Sequence, residues 1–310
     1  MIIYTIILNY KTKDETLKCI DSIEKCSMPS GYSQKIIVVD NASSDGIERA
    51  ITGNHPDIQF IQTGANLGYT GGNNAGIRWV MESGEHESLI LIVNNDTYFS
   101  QNFLPEMIGG LKKHPKAGII SPKIYFTKNS WPTPVLDKDK KEISPKTTDE
   151  IIWYAGGIFD WDNIIGGGRG VDQVDQGQFD REEQIEVATG CAMLIPFSVI
   201  KKIKGFDNKY FMYYEDVDLS VRIKRLGYEL WYVPKAIMWH ENAGSSGVGS
   251  PLQEYFQMRN RLLFAFKYAK PRTKLAVLRE GIRMRNNPPR WKGVKDFLGF
   301  HFGKGTFEIN

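Results

Sequence analysis

The stretch Leu89-Ile90-Leu91-Ile92-Val93-Asn94-Asn95-Asp96 passes within one residue from a continuous apolar run to three polar side chains. A run of this length without alternation reads as a strand buried in the middle of a sheet. A carboxylate at the tip of such a strand is costly to keep unless something charged meets it, and a hard divalent cation held by oxygen ligands is a suitable partner. Asp96 is therefore the first candidate metal ligand, with the neighbouring Asn95 beside it. A lone Asp in a turn is also an ordinary structural residue, and other motifs must decide between the two.

Outward from this strand, the first 125 residues alternate short β-branched runs with helix-like stretches, the pattern of a mostly parallel sheet flanked by helices. Strands are expected at Ile3–Leu8, Lys35–Val39, Ile58–Gln62, Leu89–Val93 and Gly118–Ser121, with crossover helices at Thr16–Lys25, Asn73–Glu82 and Phe103–His114. Between Thr127 and Glu150 apolar periodicity vanishes, which reads as a mobile loop or a local excursion. The Gly-rich aromatic stretch Trp153–Gly170 suggests hairpins. A strand at Ala192–Pro196 and a helix at Asp216–Leu226, stopped by Gly227, complete the core. Pro251–Arg285 reads as two helices divided by Pro271. The organisation expected is an α/β domain over residues 1–250, with one half to about residue 125 and a second from about 150 to 250, followed by a basic helical extension over 251–310.

Composition sets the outer limits. With 41 % apolar and 24 % charged residues, the 310-residue chain has ordinary globular usage. The formal charge of +3 hides an asymmetry, because from Pro251 onward 13 Lys/Arg face 4 Asp/Glu. Such a tail suits an anionic neighbour, a membrane surface, a lipid diphosphate or a partner protein, and equally suits a solvated helical face. Cys19, Cys26 and Cys191 are an odd number without C-x-x-C spacing, so neither a disulfide framework nor a zinc site is suggested and a reducing compartment fits. The apolar run Ile2–Leu8 is too short to span a bilayer. The expected location is cytoplasmic, with peripheral membrane attachment through the basic helices.

Four more constellations carry chemistry. Asp40-Asn41-Ala42-Ser43-Ser44-Asp45 follows the apolar Ile36–Val39, at a strand's carboxyl end where α/β sheets bind ligands. A carboxylate there accepts hydrogen bonds from a base imide or a ribose hydroxyl; an Asx-rich turn capping the next helix is the local alternative. The loop Asn66–Gly76, with Gly71, Gly72 and Asn73 at its centre, would open the helix at Asn73 and bring backbone N–H groups to a phosphate or sugar. It matches neither the P-loop nor the dinucleotide G-x-G-x-x-G pattern. Phe211-Met212-Tyr213-Tyr214-Glu215-Asp216-Val217-Asp218 places two adjacent carboxylates at a helix start after an aromatic run, so one can be desolvated as a general base needs. Acidic first-turn residues also complement the helix dipole, and Asp218 can pair with Arg222. Trp239-His240-Glu241 ends an apolar run before Asn242–Ser250; His240 is a candidate metal or diphosphate ligand, or a structural histidine. Trp239, with Trp153, Tyr154, Trp161, Tyr213 and Tyr214, could wall a sugar ring or fill the core.

In order, these pieces resemble glycosyltransferase family 2, the inverting enzymes of GT-A fold, and particularly its rhamnosyltransferase-like branch. The carriers are Leu8-Asn9-Tyr10, Val39-Asp40-Asn41, Asn66–Gly76, Asn94-Asn95-Asp96, Thr189–Leu194, Gly205-Phe206-Asp207, Glu215–Leu219 and His240, and they run from about Ile3 to Arg261. The resemblance implies that Asp40 contacts the nucleotide base, with Asn9, Asn66, Gly71, Gly72, Asn73 and Asn95 on the donor side. It implies that Asp96 ends a D-x-D-type metal motif, that His240 is a metal or diphosphate ligand, that Gly190 and Trp239 lie toward the acceptor, and that Asp216 rather than Glu215 is the base. It further implies a Mg2+ or Mn2+ cofactor, a nucleotide-sugar donor such as dTDP-rhamnose or a UDP-hexose, a glycan or lipid-linked acceptor, no nucleic acid, and the option of a homodimer. Asn94 departs from the first acid of the D-x-D pattern. That departure motivates a second reading, a fold that binds the nucleotide-sugar without turning it over, and the third reading is a sugar nucleotidyltransferase.

Overall fold

Strand β1 (Ile2–Asn9) sends alternate side chains to opposite faces of the sheet, and both sets are buried: Ile3 and Ile7 on one side, Tyr4 and Ile6 on the other. The computed structural model describes all residues except 84–86, 129, 132–133, 147, 149, 242–248 and 309–310, so most of the expected Asn242–Ser250 loop lies outside the described residues. β1 lies between β2 (Ser33–Asp40) and β4 (Ser88–Asn94), both parallel to it, and β3 (Gln59–Gln62) extends the sheet beyond β2. On the other side of β4 come β13 (Ala192–Pro196), antiparallel, then β6 (Ala117–Phe126) and β14 (Glu229–His240), which run parallel to each other.

Short additions complete the strands: β5 (Thr97–Phe99) pairs with the end of β14, β9 (Ile152–Tyr154) with β6, and β12 (Glu183–Gln184) with β14. β7 (Val135–Leu136) pairs with β8 (Glu142–Ile143), and β10 (Gly157–Asp160) with β11 (Ile165–Gly168). The expected loop after Thr127 thus contains a small ribbon, anchored by Val135 in an apolar cluster with Phe126, Ile151 and Val174.

Helices α1 (Lys13–Glu24), α2 (Ile47–Asn54) and α4 (Phe103–Lys113) cover the face that bears Ile3, Ile7, Leu91 and Val93. Helices α3 (Gly68–Glu82), α5 (Phe197–Ile203) and α6 (Glu215–Arg225) cover the face with Ile6, Ile90 and Ile92. This two-sided cover is why β4 shows no polar alternation. Helices α7 (Pro251–Tyr268), α8 (Pro271–Arg283) and α9 (Pro288–Leu298) share a third buried cluster with Phe159, Ile164, Val217 and Val221. The basic C-terminal segment therefore packs directly on α6 and on the β10–β11 hairpin.

Two sequence expectations are corrected. The Gly/Asn stretch is not a loop ahead of a helix at Asn73; α3 already begins at Gly68, and Gly71, Gly72 and Asn73 are buried inside it. Their small size serves close packing: a Cβ on Gly72 would meet Leu8 Cδ1 at 2.3 Å, and one on Gly76 would meet Ile6 at 2.8 Å. The strand expected at Gly118–Ser121 runs on to Phe126, because Lys123 is neutralised by Asp175 at 2.7 Å and by Asp180 and so can lie in the sheet interior at 2 % exposure.

Candidate active site

Since β1, β2, β4, β6 and β14 share one direction, their carboxyl ends form one edge of the sheet, and the expected residues collect there. Asn9, at the end of β1, donates from Nδ2 to Asp40 at 2.9 Å, to Ser43 at 2.9 Å and to Asp45 at 3.2 Å, and its Oδ1 accepts from Thr16 at 2.8 Å. Asn95 joins the same network through Thr12 at 2.6 Å and Thr16 at 2.8 Å. Asp40 is 2 % exposed; besides Asn9 it accepts from Gln62 at 2.7 Å and from the Ser43 hydroxyl and backbone N–H. Its carboxylate is largely satisfied from within the fold, so any ligand would have to displace one of these partners to reach it. Asn66 holds the entry to α3, accepting from Asn41 at 3.1 Å and from the Gly68 N–H at 2.9 Å.

Asp96 and His240, 144 positions apart in the sequence, meet at 3.1 Å between Oδ1 and Nε2. They are joined because β5 pairs Thr97 with His240, and because the Glu241 N–H donates to the Asp96 carbonyl at 2.9 Å. Nδ1 of His240 is buried without a hydrogen-bond partner among the described residues, and the ring packs edge-on against Trp153 at 4.6 Å. No group of three or more His, Cys, Asp and Glu ligands exists among the described residues. One carboxylate and one imidazole, side by side, are donors of the type a divalent cation accepts, and Asp96 and His240 would hold such an ion if its remaining ligands came from outside the chain.

The paired carboxylates sit at the start of α6, and their surroundings differ. Asp216 accepts from the Gly190 N–H at 3.1 Å and from the Val217 N–H at 2.8 Å, while Oε2 of Glu215 is buried with no partner among the described residues. Burial raises both acids above the ordinary carboxylate range, Glu215 well above it because the Asp216 charge adds to burial. The two backbone donors favour the charged form of Asp216, so of the two acids Asp216 is the more readily ionised and Glu215 holds its proton more strongly. Tyr69 donates to the Gly190 carbonyl at 2.5 Å, which fixes the segment whose N–H meets Asp216.

Asp216 opens into a cavity of about 530 Å³ between the sheet domain and the C-terminal helices. Its walls include Trp153, Tyr214, Thr189, the Gly166–Gly168 strand, Gln257 and Arg261. Asp40, Asp96 and His240 do not line this cavity; the link is Trp153, which faces the cavity and touches His240. Trp239 is not in the lining either; its indole nitrogen donates to Glu150 at 3.1 Å. Thus the structure brings together Asp216 with Gly190, Asp96 with His240, and Asn9 with Asp40 and Asn95. Gly71, Gly72 and Asn73 stand within α3.

Sequence reading missed Tyr69, hidden among glycines, and Arg259 and Asn260, which looked like part of the basic surface. The Asp218–Arg222 pair it did allow, at 2.7 Å, belongs to a buried hub in which Tyr268 at 2.7 Å and Lys267 also reach Asp218.

A twisted, mostly parallel sheet with one inserted antiparallel strand, and with its polar residues gathered along one edge, defines a GT-A-like glycosyltransferase fold. The chain belongs to glycosyltransferase family 2, whose model, described as "Glycosyl transferase family 2", matches residues 4–203. It is 25 % identical over 232 residues, 68 % of each chain, to the N-acetylglucosaminyl-diphospho-decaprenol L-rhamnosyltransferase of Mycobacterium tuberculosis. It is 27 % identical over 259 residues, 83 % of this chain and 73 % of the relative, to the low-salt glycan biosynthesis hexosyltransferase Agl10 of Haloferax volcanii. Among solved structures, the mannosyltransferase PcManGT from Pyrobaculum calidifontis, in complex with GDP-Man and Mn2+, superposes with a TM-score of 0.54 at 15 % identity, covering 98 % of this chain and 76 % of that one. GalNAc-T7 with UDP, GalNAc and Mn2+ gives 0.59 at 13 % identity over 84 % of this chain, which spans about half (51 %) of that longer protein. At such identities the structural likeness concerns the fold.

Proposed function

We propose that this glycosyltransferase moves a sugar from a nucleotide-sugar to a hydroxyl of a polysaccharide or lipid-linked glycan in a single displacement with inversion. The observation that carries the reading is the asymmetry of the acid pair: Asp216 faces the cavity with two backbone donors, while Glu215 is sequestered. Asp216 accepts the acceptor hydroxyl's proton as the oxygen attacks the anomeric carbon, and an oxocarbenium-like state develops as the bond to the diphosphate breaks. The displacement needs no protein nucleophile, so a single carboxylate on the acceptor side suffices. Asp96 and His240 would hold a divalent cation, Mg2+ or Mn2+, which when bound neutralises the departing diphosphate. Asp40, through exchange of its Gln62 partner, contributes to recognition of the base, and Asn9, Asn66 and Asn95 order the surrounding turns. Gly190 holds the base from the acceptor side.

The names of the relatives, an L-rhamnosyltransferase of a diphospho-decaprenol and a hexosyltransferase of glycan biosynthesis, support a rhamnose or hexose as the sugar moved, a lipid-diphosphate-linked acceptor and a role in polysaccharide biosynthesis. A dTDP-rhamnose or UDP-hexose donor and the cytoplasmic face of a membrane as location are part of the proposal. No helix among the described residues is long and apolar enough to cross a membrane. Peripheral attachment is supported by the exposed face of α8, where Leu275 and Ile282 alternate with Arg272, Arg279 and Arg283. Flotation with anionic but not neutral liposomes is the expected behaviour.

A panel of dTDP-rhamnose, UDP-glucose, UDP-GlcNAc and GDP-mannose, reading released nucleoside diphosphate, tests the activity. Pyrophosphate release from a nucleoside triphosphate would instead favour a nucleotidyltransferase. Nucleotide binding without turnover would favour the binding protein that Asn94 motivates.

A further inference from the structure

The turn that leads into Glu215 and Asp216 is conformationally improbable. Phe211, Tyr213 and Tyr214 have φ of +68°, +64° and +70°, a region that bulky side chains leave unless they are held there. What holds them comes from α7. Asn260, 0 % exposed, directs its amide nitrogen at the carbonyls of Tyr210 at 2.9 Å, Met212 at 2.7 Å and Tyr213 at 2.8 Å. Arg259, also 0 % exposed, donates from Nη2 to the Tyr210 carbonyl at 2.8 Å and from Nη1 to the Gly303 carbonyl at 2.7 Å. Its Nε donates to Asn260 Oδ1 at 3.0 Å, which sets the amide's orientation. From the opposite side the Thr70 N–H donates to the Phe211 carbonyl at 3.0 Å.

A buried guanidinium and a buried amide, aimed at the carbonyls of Tyr210, Met212 and Tyr213 in a turn that holds three left-handed residues, are more than a way of filling a core. We propose that Arg259 and Asn260 are positioning residues for the transfer reaction: they clamp the 210–214 turn so that Asp216 points into the cavity and meets the Gly190 N–H. The inference rests on the reading of Asp216 as the base. Neither residue touches a reacting atom, and both act through the backbone of the turn.

The clean probe is Asn260→Asp, which keeps the shape and replaces the donor with an acceptor facing three carbonyls. Arg259→Lys is the milder companion, keeping the charge and losing the Nε bond. Leu262→Ala, a fully buried apolar truncation in the same helix, controls for destabilisation alone. Turnover of the same nucleotide-sugar panel, with donor hydrolysis counted, is followed against pH for each full-length variant. Hydrogen exchange of the 210–214 amides gives a second readout.

Asn260→Asp is expected to lower kcat about 10–100-fold with donor KM within about threefold, and to displace the acid limb of the kcat profile by about half a pH unit or more as the surroundings of Asp216 change. Arg259→Lys follows in the same direction with about a 3–10-fold loss of kcat. Exchange of 210–214 accelerates in both and stays at the wild-type rate in Leu262→Ala. Wild-type kcat and acid limb in Asn260→Asp, or the same displacement in Leu262→Ala, overturns the clamp. Undiminished turnover by Asp216→Asn would remove the reading of Asp216 instead, so the two failures are distinguishable.

Discussion

Substituting each member of the acid pair in turn separates their roles. Asp216→Asn replaces one carboxylate oxygen with an NH2, leaving one acceptor for the two N–H donors of Gly190 and Val217 that now share the carboxylate. Losing one hydrogen bond to a charged group costs about 1.5–3 kcal/mol, and removing a charge whose burial is unfavourable offsets part of that, so the variant should fold. Its chemistry should not survive: a general base contributes roughly 10²–10⁴-fold, or about 2.7–5.4 kcal/mol of barrier at 1.36 kcal/mol per tenfold. Glu215→Gln replaces the acid that burial and the neighbouring charge hold toward its neutral form with a neutral isostere, and kcat should stay within about fivefold of wild type. The assay is release of nucleoside diphosphate at saturating donor, with calorimetric nucleotide affinity as a check that the donor side is intact. An Asp216→Asn enzyme with more than about a tenth of the wild-type kcat, or a Glu215→Gln enzyme equally impaired, refutes the assignment.

The remaining predictions follow from the same contacts. Because burial raises Asp216, its proton is retained to higher pH than in an ordinary carboxylic acid; kcat should fall on acidification through a limb above the usual carboxylate range, readable from a pH–rate profile. The raised value of Glu215 makes the folded state hold its proton more tightly than the unfolded chain does, so stability is fully present below the ordinary carboxylate value and declines as pH rises toward the folded one. Glu215→Gln should therefore raise Tm relative to wild type more at pH 8 than at pH 4. Chelation should abolish turnover and Mn2+ restore it, and Asp96→Asn should weaken nucleotide binding in the presence of Mn2+ by about 10-fold or more while leaving metal-free binding nearly unchanged, as calorimetry would show. Gly72→Ala should destabilise the fold by about 1–3 kcal/mol in denaturant titration, because its new methyl meets Leu8 at 2.3 Å.

What could be read from the sequence was whatever one strand or one helix declares alone. β1, β2 and β4 were legible because continuous apolar runs ended in polar tips, and the apolar run Ala192–Pro196 matches β13 to the residue. β14 showed only its last turn of sequence, since Pro234 and a register shift between Val233 and Ile237 interrupt its pattern. The start of α3 was hidden because glycines are poor helix formers, and here they are retained for close approach to Leu8 and Ile6. Helices α2 and α5 are short and went unread for lack of a sustained period, while α9 was covered only by the general expectation of a helical extension over 251–310. In the site, the residue types were visible and their partners were not. Nothing local joins Asp96 to His240, or shows that the amide of Asn260 supports the turn before Glu215. Arg259 carried the same basic signature as the exposed residues of α8, and burial alone distinguishes it.

The anomeric configuration of the transferred sugar, read by proton NMR of the first product formed from the donor the panel identifies, bears most directly on the single-carboxylate displacement. A base on the acceptor side and a diphosphate leaving from the opposite face give inversion, a β-linked product from an α-linked donor or the reverse. A product that retains the donor's configuration would contradict the account, because one displacement assisted by Asp216 cannot produce it.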